Sequence, residues 1–145
     1  FDPNIRADLW HDEVELRQCL ERALACADVV KISVEELAFL TGNAQVHEGL
    51  AALMRTCPAR LVLVTQGKEG VTAWQGGALT HYPASPVECI DTTGAGDAFV
   101  AGLLFGLARH GQARLSEVIT LAQRCGALAT TAKGAMTALP YHHEL

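Results

Sequence analysis

The sequence predicts an α/β fold with a largely parallel sheet, on three observations. Leu61-Val62-Leu63-Val64-Thr65 is a continuous, branched apolar run, the pattern of a strand covered on both faces. Amphipathic helix patterns lie between such runs, so strand and helix signals alternate along the chain. Finally, Pro86-Val87-Glu88-Cys89-Ile90 reads as a strand feeding the glycine-rich turn Asp91-Thr92-Thr93-Gly94-Ala95-Gly96-Asp97, which opens the proline-free apolar segment from Ala98 to Ala108.

In chain order, Phe1 to Asn4 reads as a strand end broken by Asp2-Pro3-Asn4. Asp12 to Ala27 places Val14, Leu16, Leu20, Leu24 and Ala27 on one helical face, with Cys19 and Cys26 on or beside it. Val29 to Ile32 is a short apolar strand. Ser33-Val34-Glu35-Glu36 then spells a capping box for the helix Leu37 to Leu40, which Thr41-Gly42-Asn43 stops. Ala44 to Thr56 is a second amphipathic helix, with Val46, Leu50, Leu53 and Met54 inward and Pro58 ending it. After the strand Leu61 to Thr65, Gln66-Gly67-Lys68-Glu69-Gly70 turns the chain into Val71 to Trp74. Gly76-Gly77 makes a hairpin to the segment that ends at His81-Tyr82, both read as structural. Leu115 to Thr131 is the last long helix, with Val118, Ile119, Leu121, Ala122, Cys125 and Leu128 inward, and Lys133-Gly134 terminates it.

The 145 residues, half of them hydrophobic, suffice for one core that buries about 68–70% of the unfolded surface. With a net charge of −5 and no long basic run, nothing favours nucleic acid or an anionic membrane as partner. Cys19, Cys26, Cys57, Cys89 and Cys125 contain no CxxC pair, so buried reduced thiols are expected. The His142-His143 pair has no zinc-ligand spacing. No stretch reads as a membrane span or signal peptide, and a cytoplasmic protein is the expectation.

The chemistry concentrates in the 91–97 turn. The first N–H groups of a helix lack intrahelical partners, and Gly94 and Gly96 have no Cβ to keep a ligand away, so the turn is an anion site built from main chain. Asp97 at the helix start has two readings: a cap that complements the dipole, or a base accepting a proton from an attacking hydroxyl while the amides of Gly94, Ala95 and Gly96 hold a phosphoryl group.

DTTGAGDAF, read with TQGKEG at Thr65 to Gly70, resembles the second signature of the ribokinase-like (PfkB) family of carbohydrate kinases. The FDPNIRADLW opening and the CGALATTAKGAMTALP close resemble its bacterial fructokinase type, and the likeness runs through the whole chain. The resemblance implies a three-layer α/β/α fold with a mainly parallel sheet. Family members are considerably longer, so residues 1–145 read as the C-terminal nucleotide-binding and catalytic portion, without the N-terminal half and lid and not necessarily active alone. An unpaired edge at Phe1 to Asn4 and uncovered apolar surface would follow.

It also implies ATP-dependent phosphorylation of the fructose 6-hydroxyl, with Asp97 as general base. Thr65, Gly67 and Gly70 match Thr-x-Gly-x-x-Gly, which lies along the nucleotide phosphates, and Lys68 stands beside them. Lys133 and Gly134 fall in the loop beneath the adenine. Asp91, the Thr93 carbonyl and that loop would bind potassium. Glu36 matches the glutamate of Asn-x-x-Glu, which organises magnesium through water; Ser33 replaces the asparagine, and the capping box explains both residues equally. Arg6 is either a phosphate contact at the substrate or a surface ion pair. Other sugar kinases of the family, acting on an aminoimidazole riboside or 2-keto-3-deoxygluconate, remain alternatives, as does a catalytically silent nucleotide-binding module. A homodimer is compatible with a full-length form.

Overall fold

The computed structural model describes every residue of the chain except His142 and Glu144, so half of the His142-His143 pair lies outside the described residues. The chain forms two compact units, residues 1–66 with 72–81, and residues 67–71 with 82–145. Strands β1 (Val29–Ser33), β2 (Leu61–Thr65), β3 (Val71–Gln75) and β4 (Ala78–Tyr82) make one sheet in sequence order. Helices α1 (Glu13–Ala25), α2 (Val34–Thr41), α3 (Val46–Leu53), α4 (Ala95–His110) and α5 (Leu115–Ala129) complete the α/β architecture.

The first unit is organised by the pairing of β1 with β2, parallel and in register from Val29 opposite Leu61 to Ser33 opposite Thr65. Leu61 through Val64 are all buried, the outcome expected for a strand covered on both faces. The β3–β4 hairpin around Gly76-Gly77 is antiparallel, so the sheet is mixed. Val30, Ile32, Val62 and Val64 form the core with Leu24 of α1, Leu37 of α2 and Leu50 and Leu53 of α3. Asp12 caps α1 by accepting from the Val14 N–H at 2.8 Å. Gly42, at φ 73°, closes α2 in the left-handed conformation.

The inner face of α1 is narrower than its pattern suggests. Leu16, Leu20 and Leu24 are buried at i, i+4 and i+8, whereas Val14 is 60% exposed and Cys26, past the helix end, is exposed. All five thiols are free as expected, but only Cys57 and Cys125 are buried.

In the second unit α4 packs on α5 with glycine at the contact. A Cβ on Gly102 would lie 2.8 Å from Cys125 Sγ and 2.9 Å from Ala122 Cα, and one on Gly106 would lie 3.1 Å from Val118. The α5 face is Leu115, Val118, Ile119, Ala122, Cys125, Gly126 and Ala129. Leu121 and Leu128, expected inward, are half-buried flanks of that stripe.

Two expected strands are not formed. Pro86 to Ile90 has no ladder: Pro83 and Pro86 have no N–H to donate, and the Ile90 and Asp91 amides converge on one carbonyl, that of Thr130, at 2.8 and 3.1 Å. Phe1 to Asn4 meets the edge of β1 through Phe1, whose nitrogen donates to the Val29 carbonyl and whose carbonyl accepts from the Lys31 N–H, and through Asp2 beside the Lys31 ammonium. Pro3 cannot continue a ladder, and Asn4, at φ 42°, turns the chain away.

Gly102→Ala should destabilise the chain by about 1–3 kcal/mol, because the overpacked contact includes backbone that cannot rotate aside; this exceeds the helix-propensity gain of about 1 kcal/mol. Urea titration should show a lower midpoint at unchanged m-value.

Candidate active site

The 91–97 turn is assembled around one carboxylate. Asp91 Oδ1 accepts from the Thr93 N–H at 2.9 Å and from the Thr93 hydroxyl at 2.6 Å, while Oδ2 accepts from the Gly134 N–H at 2.8 Å. The Thr93 hydroxyl, then the Thr93 and Gly134 amides, hold the Asp91 carboxyl below the usual carboxylate range. Asp91 therefore ties its own turn to the loop after α5. Gly94 follows at φ 81°, and a Cβ there would meet Ala135 at 2.8 Å, so a second contact brings the same two segments together.

Gly94 is the N-cap of α4 and no side chain caps that helix. The Ala95 N–H donates to the Thr92 carbonyl at 3.1 Å. The N–H groups left without intrahelical partners are then those of Gly96 and Asp97, at the second and third helical positions. Of the expected Gly94, Ala95 and Gly96 amides, that of Ala95 is therefore occupied, those of Gly94 and Gly96 have no partner among the described hydrogen bonds, and Asp97 adds its backbone N–H beside its side chain. The Asp97 carboxylate is exposed and accepts no hydrogen bond among those described, so it does not act as a side-chain cap.

The second glycine loop is a 3-10 turn over Gly67–Glu69, closed by the Gly70 N–H donating to the Gly67 carbonyl at 3.1 Å. Gly70 sits at φ 104° where a Cβ would fall on the Tyr82 carbonyl and lie 2.7 Å from the Ala84 nitrogen; only glycine fits. Lys68 and Lys133 are exposed.

In the first unit the carboxyl ends of β1 and β2 coincide, since Ser33 and Thr65 are register partners. Ligands of open α/β sheets bind at that end. The Thr65 hydroxyl donates to the Ile32 carbonyl at 3.3 Å. Glu36, just past β1, completes the capping box: Ser33 Oγ accepts from its N–H at 3.2 Å and its Oε2 accepts from the Ser33 N–H at 2.8 Å. Its Oε1 accepts from the Ile5 N–H at 2.9 Å, a bond across 31 residues that sequence did not signal. Arg6 follows directly and is exposed. Burial pushes the nearby Asp2 carboxyl up, against the pull of the Lys31 ammonium at 3.4 Å. His81, read as structural, places Nδ1 3.1 Å from Thr72 Oγ1, which accepts from Gln66 Nε2 at 2.8 Å.

The donor sets fit hard cations only loosely. Among the described residues no group of three or more His, Cys, Asp and Glu side chains could hold a metal. A carboxylate offers about four lone-pair sites, so Asp91 retains capacity beside its three donors, and Glu36 beside its two. That suits a cation held mostly by water and backbone carbonyls.

A family model described as "pfkB family carbohydrate kinase" matches residues 1–141. The chain belongs to the pfkB family. Similar family members include a fructokinase of Klebsiella pneumoniae, 60% identical over all of this chain and 48% of its own length. An aminoimidazole riboside kinase of Salmonella typhimurium is 40% identical over all of this chain and 46% of its own. This pfkB chain thus spans about half the length of these curated relatives. Among solved structures, a double mutant of a fructokinase from Vibrio cholerae O395 with fructose, ADP and potassium superposes at a TM-score of 0.91, with 46% identity, over 99% of this chain and 47% of its own. Aminoimidazole riboside kinase from Salmonella enterica, with its riboside and an ATP analogue, reaches 0.89 at 40% identity, over 97% and 48%. The ribokinase-like α/β fold is thereby established, and no helix of the described residues is long and apolar enough to cross a membrane.

Because the folded-state pKa of Asp91 is depressed, its stabilising contribution is complete above the unfolded value and is lost as pH falls through the folded one. Asp91→Asn should therefore lower stability at pH 7 and flatten the acid limb of the profile below about pH 5. It should also speed exchange of the Gly134 amide; urea titrations across pH and amide exchange read the two effects.

Proposed function

We propose that this chain is the nucleotide-binding and catalytic portion of an ATP-dependent fructokinase that phosphorylates the fructose 6-hydroxyl. The observation that carries the reading is an exposed Asp97 carboxylate at the third position of α4, beside the unpaired N–H groups of Gly96 and Asp97. An open carboxylate is reachable by a hydroxyl, and the adjacent amides sit where negative charge on a transferring phosphoryl group is stabilised. The 60% identity to a fructokinase supports the choice of sugar.

In this reading the 6-hydroxyl oxygen forms a bond to the γ-phosphorus while the bridging bond to the β-phosphate breaks. The hydroxyl proton passes to Asp97, and ADP leaves with the electron pair. Gly94 keeps α4 uncapped by any side chain, so the Gly96 and Asp97 amides stay open. Thr65, Gly67 and Gly70 line the nucleotide phosphates, with Lys133 and Gly134 in the loop beneath the base. Asp91, with the Thr93 carbonyl, would hold potassium beside the 91–97 turn. Glu36 would help hold a water-bound magnesium, which would supply charge neutralisation at the phosphates, and Arg6 offers its planar fork to a phosphate.

The 40% identity to an aminoimidazole riboside kinase supports a second reading, with that riboside as acceptor. ADP release by the full-length protein, measured with fructose and with the riboside, separates the two. Asp97→Asn should lower kcat roughly 10²- to 10⁴-fold with little change in ATP affinity. Near-normal turnover by that variant would remove the general base from the account.

A further inference from the structure

We infer that Glu36 is a positioning residue for Arg6, fixing the backbone from which that guanidinium is presented to a phosphate-bearing ligand. The inference rests on the phosphate-contact reading of Arg6 given above. A capping box uses only the exchange between Ser33 and Glu36, with Oε2 on the Ser33 N–H and Ser33 Oγ on the Glu36 N–H. The second oxygen has no part in it. Oε1 instead accepts from the Ile5 N–H at 2.9 Å, so one carboxylate joins the start of α2 to the residue before Arg6.

The segment it reaches requires such an anchor. Asn4 sits at φ 42°, a conformation that L-residues adopt sparingly and that persists where flanking contacts over-determine it. On one flank Asp2 is held 3.4 Å from Lys31 Nζ, and the Lys31 N–H donates to the Phe1 carbonyl at 3.0 Å. On the other flank the only hydrogen bond to Ile5 among those described is the one from Glu36. Just beyond, the Leu9 N–H donates to the Arg6 carbonyl at 3.0 Å and closes a 3-10 turn over Ala7–Leu9. The Arg6 backbone is thus held from both sides, while its side chain is exposed and forms no ion pair among the described residues. A guanidinium with a fixed base and a free fork loses less entropy on meeting a phosphate than one on a mobile loop.

The test uses the full-length protein and reads Ile5 amide exchange by NMR and, with magnesium withheld so that any role of Glu36 toward that ion does not enter, ATP affinity by calorimetry. Glu36→Ala should accelerate Ile5 exchange about tenfold or more, one lost hydrogen bond at a partly buried amide. Ser33→Ala removes the other half of the box and should leave Ile5 protected, which separates loss of the anchor from loss of the helix cap. Arg6→Ala and Glu36→Ala should each weaken ATP binding about tenfold, and the double variant should be within about twofold of either single one, since both remove the same contact. Unchanged Ile5 exchange in Glu36→Ala, or losses that multiply in the double variant, would overturn the proposal while leaving the phosphate role of Arg6 standing. ATP affinity indifferent to Arg6→Ala would overturn both together. If Glu36→Ala does not fold, Glu36→Gln offers a weaker neutral acceptor, and a rise in Ile5 exchange of about threefold is expected; no rise overturns the proposal equally.

Discussion

The geometry of the second unit depends on the three hydrogen bonds that Asp91 accepts. Without them the 91–97 turn would be joined to the loop after α5 mainly by the Thr130 carbonyl, which receives the Ile90 and Asp91 amides. With them, the residue that precedes the turn, the turn itself and the chain returning through Gly134 are fixed by one side chain. An ionised acceptor gives shorter and stronger bonds than a neutral one, which explains why a segment with no strand leading into it still enters α4 at a defined angle. Gly94 is the steric counterpart: any side chain there would collide with Ala135 and push apart the segments that Asp91 draws together.

Close approach by small residues then propagates along α4. Gly102 and Gly106 allow its backbone to lie against Ala122, Cys125 and Val118, and Gly126 of α5 returns the arrangement by sitting 3.1 Å, measured from a would-be Cβ, from the Ala95 carbonyl. Glycine inside a helix costs about 0.5–1 kcal/mol relative to alanine, so these positions are explained by packing and not by propensity. Because the helix is held by its sides, its first turn needs no side-chain cap. That leaves the Gly96 and Asp97 amides open, and the packing of the helix body and the chemistry of its mouth are parts of one arrangement.

Much of this was legible in the sequence, for reasons that differ by residue. The run at Leu61 is a strand because apolar residues buried on both faces leave few alternatives, the run at Val29 is one with Val30 and Ile32 alternately buried, and Ser33 with Glu36 capped α2 as the spacing required. The Pro86 to Ile90 run was misleading because apolar content alone does not supply a pairing partner, and Pro86, like Pro83 before the run, removes a donor. Val14 was misplaced because helical periodicity near an N-terminus does not say where the stripe begins. Three features left no trace at all: the reach of Glu36 to Ile5, the use of the Ala95 amide by Thr92, and the fit of Ala135 against Gly94. Two of these involve backbone groups that every residue carries, and the first and third join segments brought together only by folding.

The division of labour between the two aspartates of the turn follows from their surroundings. Both lie within seven residues of each other in the sequence, and side-chain chemistry does not distinguish them. Asp91 is committed: its oxygens face one hydroxyl and two amides, and those donors favour its charged form. A proton taken from a substrate would have to displace that network, and with it the geometry of the turn. Asp97 projects from the first turn of α4 with no hydrogen bond among those described, so accepting a proton would break no recorded contact. A committed carboxylate and an open one are thus separated by their hydrogen-bond partners, the same logic by which paired carboxylates elsewhere take different roles. On that reasoning the proposal gives the role of base to Asp97 and not to Asp91, which holds in place the turn that carries it.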